Sequence, residues 1–128
     1  MTSKATSTAY ASAARTATPT VKDLNTSKDV GIQYVIDVTA VTATPSVVPT
    51  ISGVDPVSGS LYTLLTGSAI TATGTTVLQV HPEMAAVANL VGNAMLPQIT
   101  MLPQITRLTM THGDADSITY TVSAMLTD

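Results

Sequence analysis

Residues 30–41 read VGIQYVIDVTAV. Taken with period 2, Val30, Ile32, Tyr34, Ile36, Val38 and Ala40 share one face. Gln33, Asp37 and Thr39 share the other, interrupted by Val35 and Val41. Successive side chains leave a strand on opposite sides, so alternation of this length predicts a half-buried β-strand. No other stretch alternates as long, and residues 30–41 are expected to form the central strand of the core.

The rest of the chain is punctuated for further short strands. Residues 47–54 predict a second strand, with Pro49 marking an edge position or a bulge. Asp55-Pro56-Val57-Ser58-Gly59 has turn chemistry, because proline presets φ and glycine tolerates positive φ. Residues 61–66 and 69–73 predict short strands joined through Gly67-Ser68, Gly74 breaks the run, and residues 75–80 alternate again. Residues 105–111 and 117–126 predict two last strands, with His112-Gly113-Asp114-Ala115-Asp116 as a hairpin connection between them. Between 81 and 92, Pro82, Glu83 and Gly92 are helix-boundary signals and Met84, Val87 and Val91 would share one helical face. At most two helical turns, or an irregular crossover, are expected there. Regular short strands with Gly, Pro and Asp turns predict an all-β sandwich or barrel. We expect an antiparallel, jelly-roll-like β-sandwich over residues 28–128.

Residues 1–27 are poor in large apolar side chains, and small polar residues do little to offset the entropy of ordering. They are expected to form an extended N-terminal arm, in which residues 8–14 alternate weakly and would add as an edge strand to a neighbouring subunit. The arm has no apolar h-region of a secretory signal. Residues 95–100 and 101–106 are both MLPQIT. Six is far too short for a solenoid repeat, but it is even, so such a duplication preserves which side chains face inward downstream. Pro97 and Pro103 place the duplicated part at a strand's start rather than its middle.

Composition narrows the function classes. Only 10% of the 128 residues are charged and the net charge is -3, which argues against binding nucleic acid or an anionic membrane. Sparse charge on a small domain points to a surface covered in an assembly. With no cysteine there is neither a disulfide nor a thiolate metal site. Phe and Trp are also absent and the aromatics are four tyrosines, Tyr10, Tyr34, Tyr62 and Tyr120, so core packing must come from Val, Ile, Leu, Ala and Met.

The residues offer little chemistry. His112, Asp114 and Asp116 put an imidazole and two carboxylates on one loop, a potential cation site, but the spacing lacks the other ligands of an EF-hand and Asp and Gly also suit any turn. His81 would reach His112 only through folding. Asp37 would be a functional acid if buried and is otherwise a solvent- or subunit-facing residue. Asn25-Thr26-Ser27 matches a glycosylation sequon, which the missing secretory signal makes a chance match. No nucleophile elbow or phosphate-cradling glycine loop is present. We expect no catalytic residue, cofactor or metal.

Three segments together resemble a family of small β-rich virion proteins from tailed bacteriophages. They are IDVTAVTATPSVVPTISGVDPVSGSLYTLLTGSAITATGTTVLQVHP, AVANLVGNAMLPQ and RLTMTHGDADSITYTVSAML, within residues 30–126. The most specific parts are GVDPVSG at 53–59, Tyr62-Thr63-Leu64-Leu65 and AITATGT at 69–75. The family carries the leucine-proline segment once, so the tandem MLPQIT departs from it. The resemblance implies a β-sandwich on the outer capsid surface, a non-enzymatic decoration (cement) protein. Its partners would be the major capsid protein and neighbouring copies of itself, in an oligomeric or capsid-assembled state. A tail, neck or fibre component stands second. A carbohydrate-binding module stands third, weakened by the lack of Trp and Phe platforms.

Overall fold

A computed structural model of the protein describes residues 4–82, 94–98 and 101–127. The described residues form strands β1 (Lys4–Arg15), β2 (Lys22–Asn25), β3 (Gly31–Val41), β4 (Val47–Val54), β5 (Leu61–Thr66), β6 (Gly74–Val80), β7 (Ala94–Gln98), β8 (Ile105–His112) and β9 (Ile118–Thr127). They make a β-sandwich of a five-stranded sheet, in the order β1-β9-β3-β6-β7, and a four-stranded sheet, in the order β2-β8-β4-β5. All pairings are antiparallel except that of β6 with the edge strand β7. With β7 set aside, the ladders β4·β5, β3·β6, β2·β8 and β1·β9 nest inside one another like one long hairpin. Rolling that hairpin up creates the remaining pairs, β3·β9 and β4·β8. This is the jelly-roll arrangement, and the β4–β5 turn is its tip.

β3 is the middle strand of its sheet, as its alternation predicts. Ile32, Tyr34, Ile36 and Val38 are buried, beside Leu78 and Val80 of β6 and Tyr120, Val122 and Ala124 of β9. Val47 and Ile51 of β4 and Leu108 and Met110 of β8 are buried in the facing sheet. Each such aliphatic side chain contributes about 1.5–3 kcal/mol on leaving water.

Both ends of the predicted stretch differ from expectation. Val30 and Ala40 are exposed. Val38 pairs with Tyr120 but Ala40 with Thr119, so Thr39 is an extra, bulged residue. The bulge reverses the alternation, and Val41, opposite Ile118, packs against the core instead.

Other corrections concern how strands join. Residues 8–14 do form an edge strand, but on this chain's own β9, and the arm also supplies β2 to the other sheet. Residues 4–15 and 22–25 therefore belong to the sandwich rather than to an arm reaching outward. The ladder is made by backbone groups, which small side chains do not weaken, and buried Ala9 and Tyr10 anchor it. Residues 112–116 are not a hairpin, because β8 and β9 lie in different sheets. Residues 69–73 form no strand; Ile70 alone bridges to Val47. Gly74 opens β6 rather than ending a strand, at φ 139°. β4 is interior despite Pro49, whose carbonyl accepts from Gly67 N–H at 2.8 Å. Nitrogen and carbonyl of a strand residue share an edge, so the missing N–H lies on the β5 side, beside Gly67 just past the end of that strand, and the β4·β8 ladder keeps its bonds. Pro103 precedes β8 as expected, whereas Pro97 lies within β7, where an edge position tolerates it. Residues 83–92, read as helical turns or a crossover, lie outside the described residues.

The roll gathers its connections at two ends. Residues 26–30, 55–60, 81–82 and 101–104 lie at the tip end; residues 16–21, 42–46, 67–73 and 113–117 lie at the far end. Hydrogen bonds lace each end. At the tip end the buried Thr26 hydroxyl donates to the Pro103 carbonyl at 2.6 Å and lies 2.8 Å from the Thr106 hydroxyl, and Val30 N–H donates to Thr127 at 2.6 Å. At the far end Gly113 N–H donates to Ser46 at 2.8 Å, and His112 N–H to Thr18 Oγ1 at 2.9 Å. The short edge strand β2 is further held by Arg107, which grips Asp23 with Nε at 2.7 Å and Nη2 at 3.0 Å.

Ile36 is fully buried at the centre of β3. Ile36→Asp is expected to abolish cooperative folding, because an unpaired charge there costs more than the few kcal/mol by which a domain is stable. Circular dichroism melts check this; a soluble variant with a wild-type-like transition would show that β3 is not the core strand.

Candidate functional site

The loop flagged by its imidazole and carboxylates is a structural crossover. Asp114 Oδ1 accepts from Asp116 N–H at 3.1 Å, and Asp116 Oδ2 accepts from the Thr44 N–H and hydroxyl at 3.1 and 3.3 Å. The carboxylates thus fasten residues 113–117 to the neighbouring 42–46 connection. His112 turns the other way, with Nε2 3.0 Å from the Tyr120 hydroxyl. Among the described residues no group of three His, Cys, Asp or Glu is arranged to hold a metal ion. His81 lies at the tip end, the opposite end of the sandwich from His112, so the two do not meet. Asp37 is exposed on the outer face of the five-stranded sheet. Asn25 Oδ1 accepts from the Ser27 N–H and hydroxyl at 3.0 and 2.7 Å, which makes the sequon a local turn.

His112 belongs to an aromatic and cationic cluster that sequence reading missed. The Tyr10 and Tyr120 rings meet edge to face, with centroids 6.4 Å apart. The Arg15 guanidinium lies 4.5 Å from the Tyr120 ring centre and 5.3 Å from that of Tyr10, and Lys22 Nζ is 5.5 Å from Tyr10. Arg15 also donates to the carbonyls of Ala11, Ala13 and Tyr120, at 2.7, 3.1 and 2.9 Å. Its charge is committed to clamping the end of β1 onto β9, a structural role. Burial holds the His112 imidazole below its usual range, helped by Arg15 and opposed by Asp114. Burial pushes the Tyr120 hydroxyl up to about 12, so it stays neutral beside the imidazole.

The tip end differs in kind. Among the described residues the large hydrophobic side chains that stand exposed are Val30, Val57, Leu61, Tyr62 and Met101, and every one of these lies at this end. Val57 is 95% exposed and Met101 74%. The β4–β5 turn that carries Val57 is held from within. Asp55 Oδ1 accepts from Val57 N–H at 2.8 Å and Ser58 N–H at 3.3 Å, while Asp55 N–H donates to Ser60 and Gly59 N–H to Asp55, both at 2.8 Å. The bonds from Val57 and Ser58 hold the Asp55 carboxyl below its usual range. Gly59, at φ 78°, takes the left-handed conformation that closes the turn. Tyr62 lies across its partner Gly53, where any Cβ would collide with the ring. An open depression of about 250 Å³ lies at the same end, among Gly31, Ile32, Val80, His81, Leu126 and Thr127.

Compared with protein-family models, with curated proteins and with solved structures, the chain matches none.

Tyr34 is fully buried, and its hydroxyl has no hydrogen-bond partner among the described residues. Tyr34→Phe removes an unpaired polar atom and should be neutral or stabilising. Tyr120→Phe orphans the part-buried His112 nitrogen and should cost about 1–3 kcal/mol by urea unfolding. For His112, the unfolded chain takes up its proton near pH 6.5 and the folded chain only at lower pH. Its contribution is therefore complete above about pH 6.5 and is lost as pH falls toward the lower folded value. The urea midpoint should drop between pH 7.5 and 5.5, and drop less in His112→Gln. Equal slopes in the two proteins would remove His112 from the pH response.

Proposed function

We propose that this chain is a non-enzymatic structural protein of a tailed-bacteriophage virion, a decoration protein that binds and stabilises the mature capsid shell from outside. The observation that supports this reading is the sparsely charged outer face of the five-stranded sheet. Across its three inner strands that face presents Gln33, Val35, Val77, Gln79, Thr121 and Ser123, with Asp37 as its charge. A freely solvated domain carries charge on roughly a quarter to a third of its surface; this chain has 10% in all. Such a face suits a body that sits among neighbours. The jelly roll by itself leaves function open, since the same fold serves unrelated roles; the resemblance over residues 30–126 points to the virion.

The mechanism is mass action. A protein that binds only the mature shell stabilises it by its binding free energy, about 2.7 kcal/mol per site at a hundredfold excess over Kd. Repetition over symmetry-related sites multiplies that effect. The partners are the major capsid protein and neighbouring copies of this chain, and the location is the outer capsid surface.

Quantitative mass spectrometry of purified particles tests the reading. A copy number comparable to the major shell protein is expected. A few copies per particle would move the protein to the tail, neck or fibre, and absence from particles would discard the virion reading.

A further inference from the structure

We infer that the tip end of the roll is the docking end, and that the β4–β5 turn inserts Val57 into an uncharged apolar depression on the shell protein. The inference rests on the decoration reading and adds to it which surface makes the attachment.

The two ends differ in chemistry. The tip end collects Val30, Val57, Leu61, Tyr62 and Met101 from four separate connections or strand starts. At the far end the exposed side chains are small or polar, Thr16, Thr18, Thr44, Thr73 and Asp114 among them. Scattered exposed hydrophobics need no explanation, but their confinement, among the described residues, to one end of a sandwich marks an interaction surface. The protruding part is rigid. Asp55 fixes the turn through backbone hydrogen bonds, so little conformational entropy is lost when Val57 is immobilised. Tyr62, lying across Gly53 on the strand that leaves the turn, presents an amphipathic ring, the residue type most enriched where binding energy concentrates.

Charge selects the partner. Residues 53–66 contain one charged residue, Asp55, and its carboxylate is engaged by its own turn. The neighbouring 26–30 connection carries one charge of each sign, Lys28 and Asp29. The β4–β5 turn and β5 thus carry no cation for phosphate or an anionic headgroup, and the complement of Val57 and Tyr62 is an uncharged, apolar protein surface. Shape selects further. A turn whose tip residue is almost wholly solvent-exposed is convex, and two such tips facing across a twofold axis do not fill each other, which disfavours a symmetric pair of copies.

The test uses the full chain and shells of the encoding phage prepared without this protein. Val57→Asp should melt like wild type yet cosediment with shells about tenfold or more weakly, while Thr73→Asp at the far end should bind as wild type does. Because the chain has no cysteine, Val57→Cys carries a single polarity-sensitive dye. Its emission should shift to the blue on adding shells, and a dye at Thr73→Cys should not respond. Wild-type binding with Val57→Asp equally strong, or a silent dye at position 57 on bound protein, overturns the docking inference and leaves the decoration reading standing. Failure of wild type itself to bind shells overturns the decoration reading. A blue shift that appears without shells as protein concentration rises assigns the tip to a second copy and overturns the shell partner.

Discussion

The core of this protein takes its bulk from tyrosine. Phe and Trp are absent, and Tyr34 and Tyr120 are the largest side chains buried completely. Each stands opposite a smaller partner on the neighbouring strand, Tyr34 across from Ala124 and Tyr120 across from Val38. Bulk and space alternate along the β3·β9 ladder, which lets the facing sheet close over both. The cost of this choice is a hydroxyl at the end of each ring. Tyr120 meets it with His112 at the far end, and Tyr10 donates to the Thr20 carbonyl at 2.5 Å on the chain leaving β1. Those two bonds recruit the 16–21 connection and the end of β8, so packing in the core dictates how the far end is tied.

The nested hairpin explains which features of the fold were legible. β3 and β9 were readable because their inward residues alternate without interruption over the length of a strand. The bulge at Thr39 was not, because a bulge is decided by the partner's register and leaves no local mark. β1 was misread for a related reason. Its Ala, Ser and Thr side chains carry almost no hydrophobic signal, and what holds it is a backbone ladder plus two buried residues. The loop at 112–116 has the composition of a tight hairpin, but composition specifies that the chain turns, not into which sheet the next strand goes. That choice belongs to β9, which lies between β1 and β3 in one sheet while β8 lies between β2 and β4 in the other.

The candidate sites follow the same division. His112, Asp114 and Asp116 are close in sequence and were read together; the structure separates them, because the carboxylates satisfy turn donors and the imidazole serves a tyrosine. The tip end was invisible for the opposite reason. Val30, Val57, Leu61, Tyr62 and Met101 span more than half the chain, and only the roll brings them to one end. Period-2 reading even placed Val30 with the core. The turn chemistry of Asp55 to Gly59 was legible, yet nothing local says that this turn is the tip of the whole roll.

Edge protection sharpens the contrast between the two sides of the molecule. An exposed strand edge invites pairing with another chain, and charges or proline are the usual guards. β1 contains Lys4 and Arg15, β2 contains Lys22 and Asp23, and β7 contains Pro97. The fourth edge, β5, reads LYTLLT and has neither charge nor proline. It also begins at the tip, with Leu61 and Tyr62 both about half exposed. An unguarded edge next to a rigid apolar turn would be a liability on a protein free in solution. On a protein whose tip end is covered it is consistent with the rest of the surface, since guards are needed only where solvent and other chains can reach.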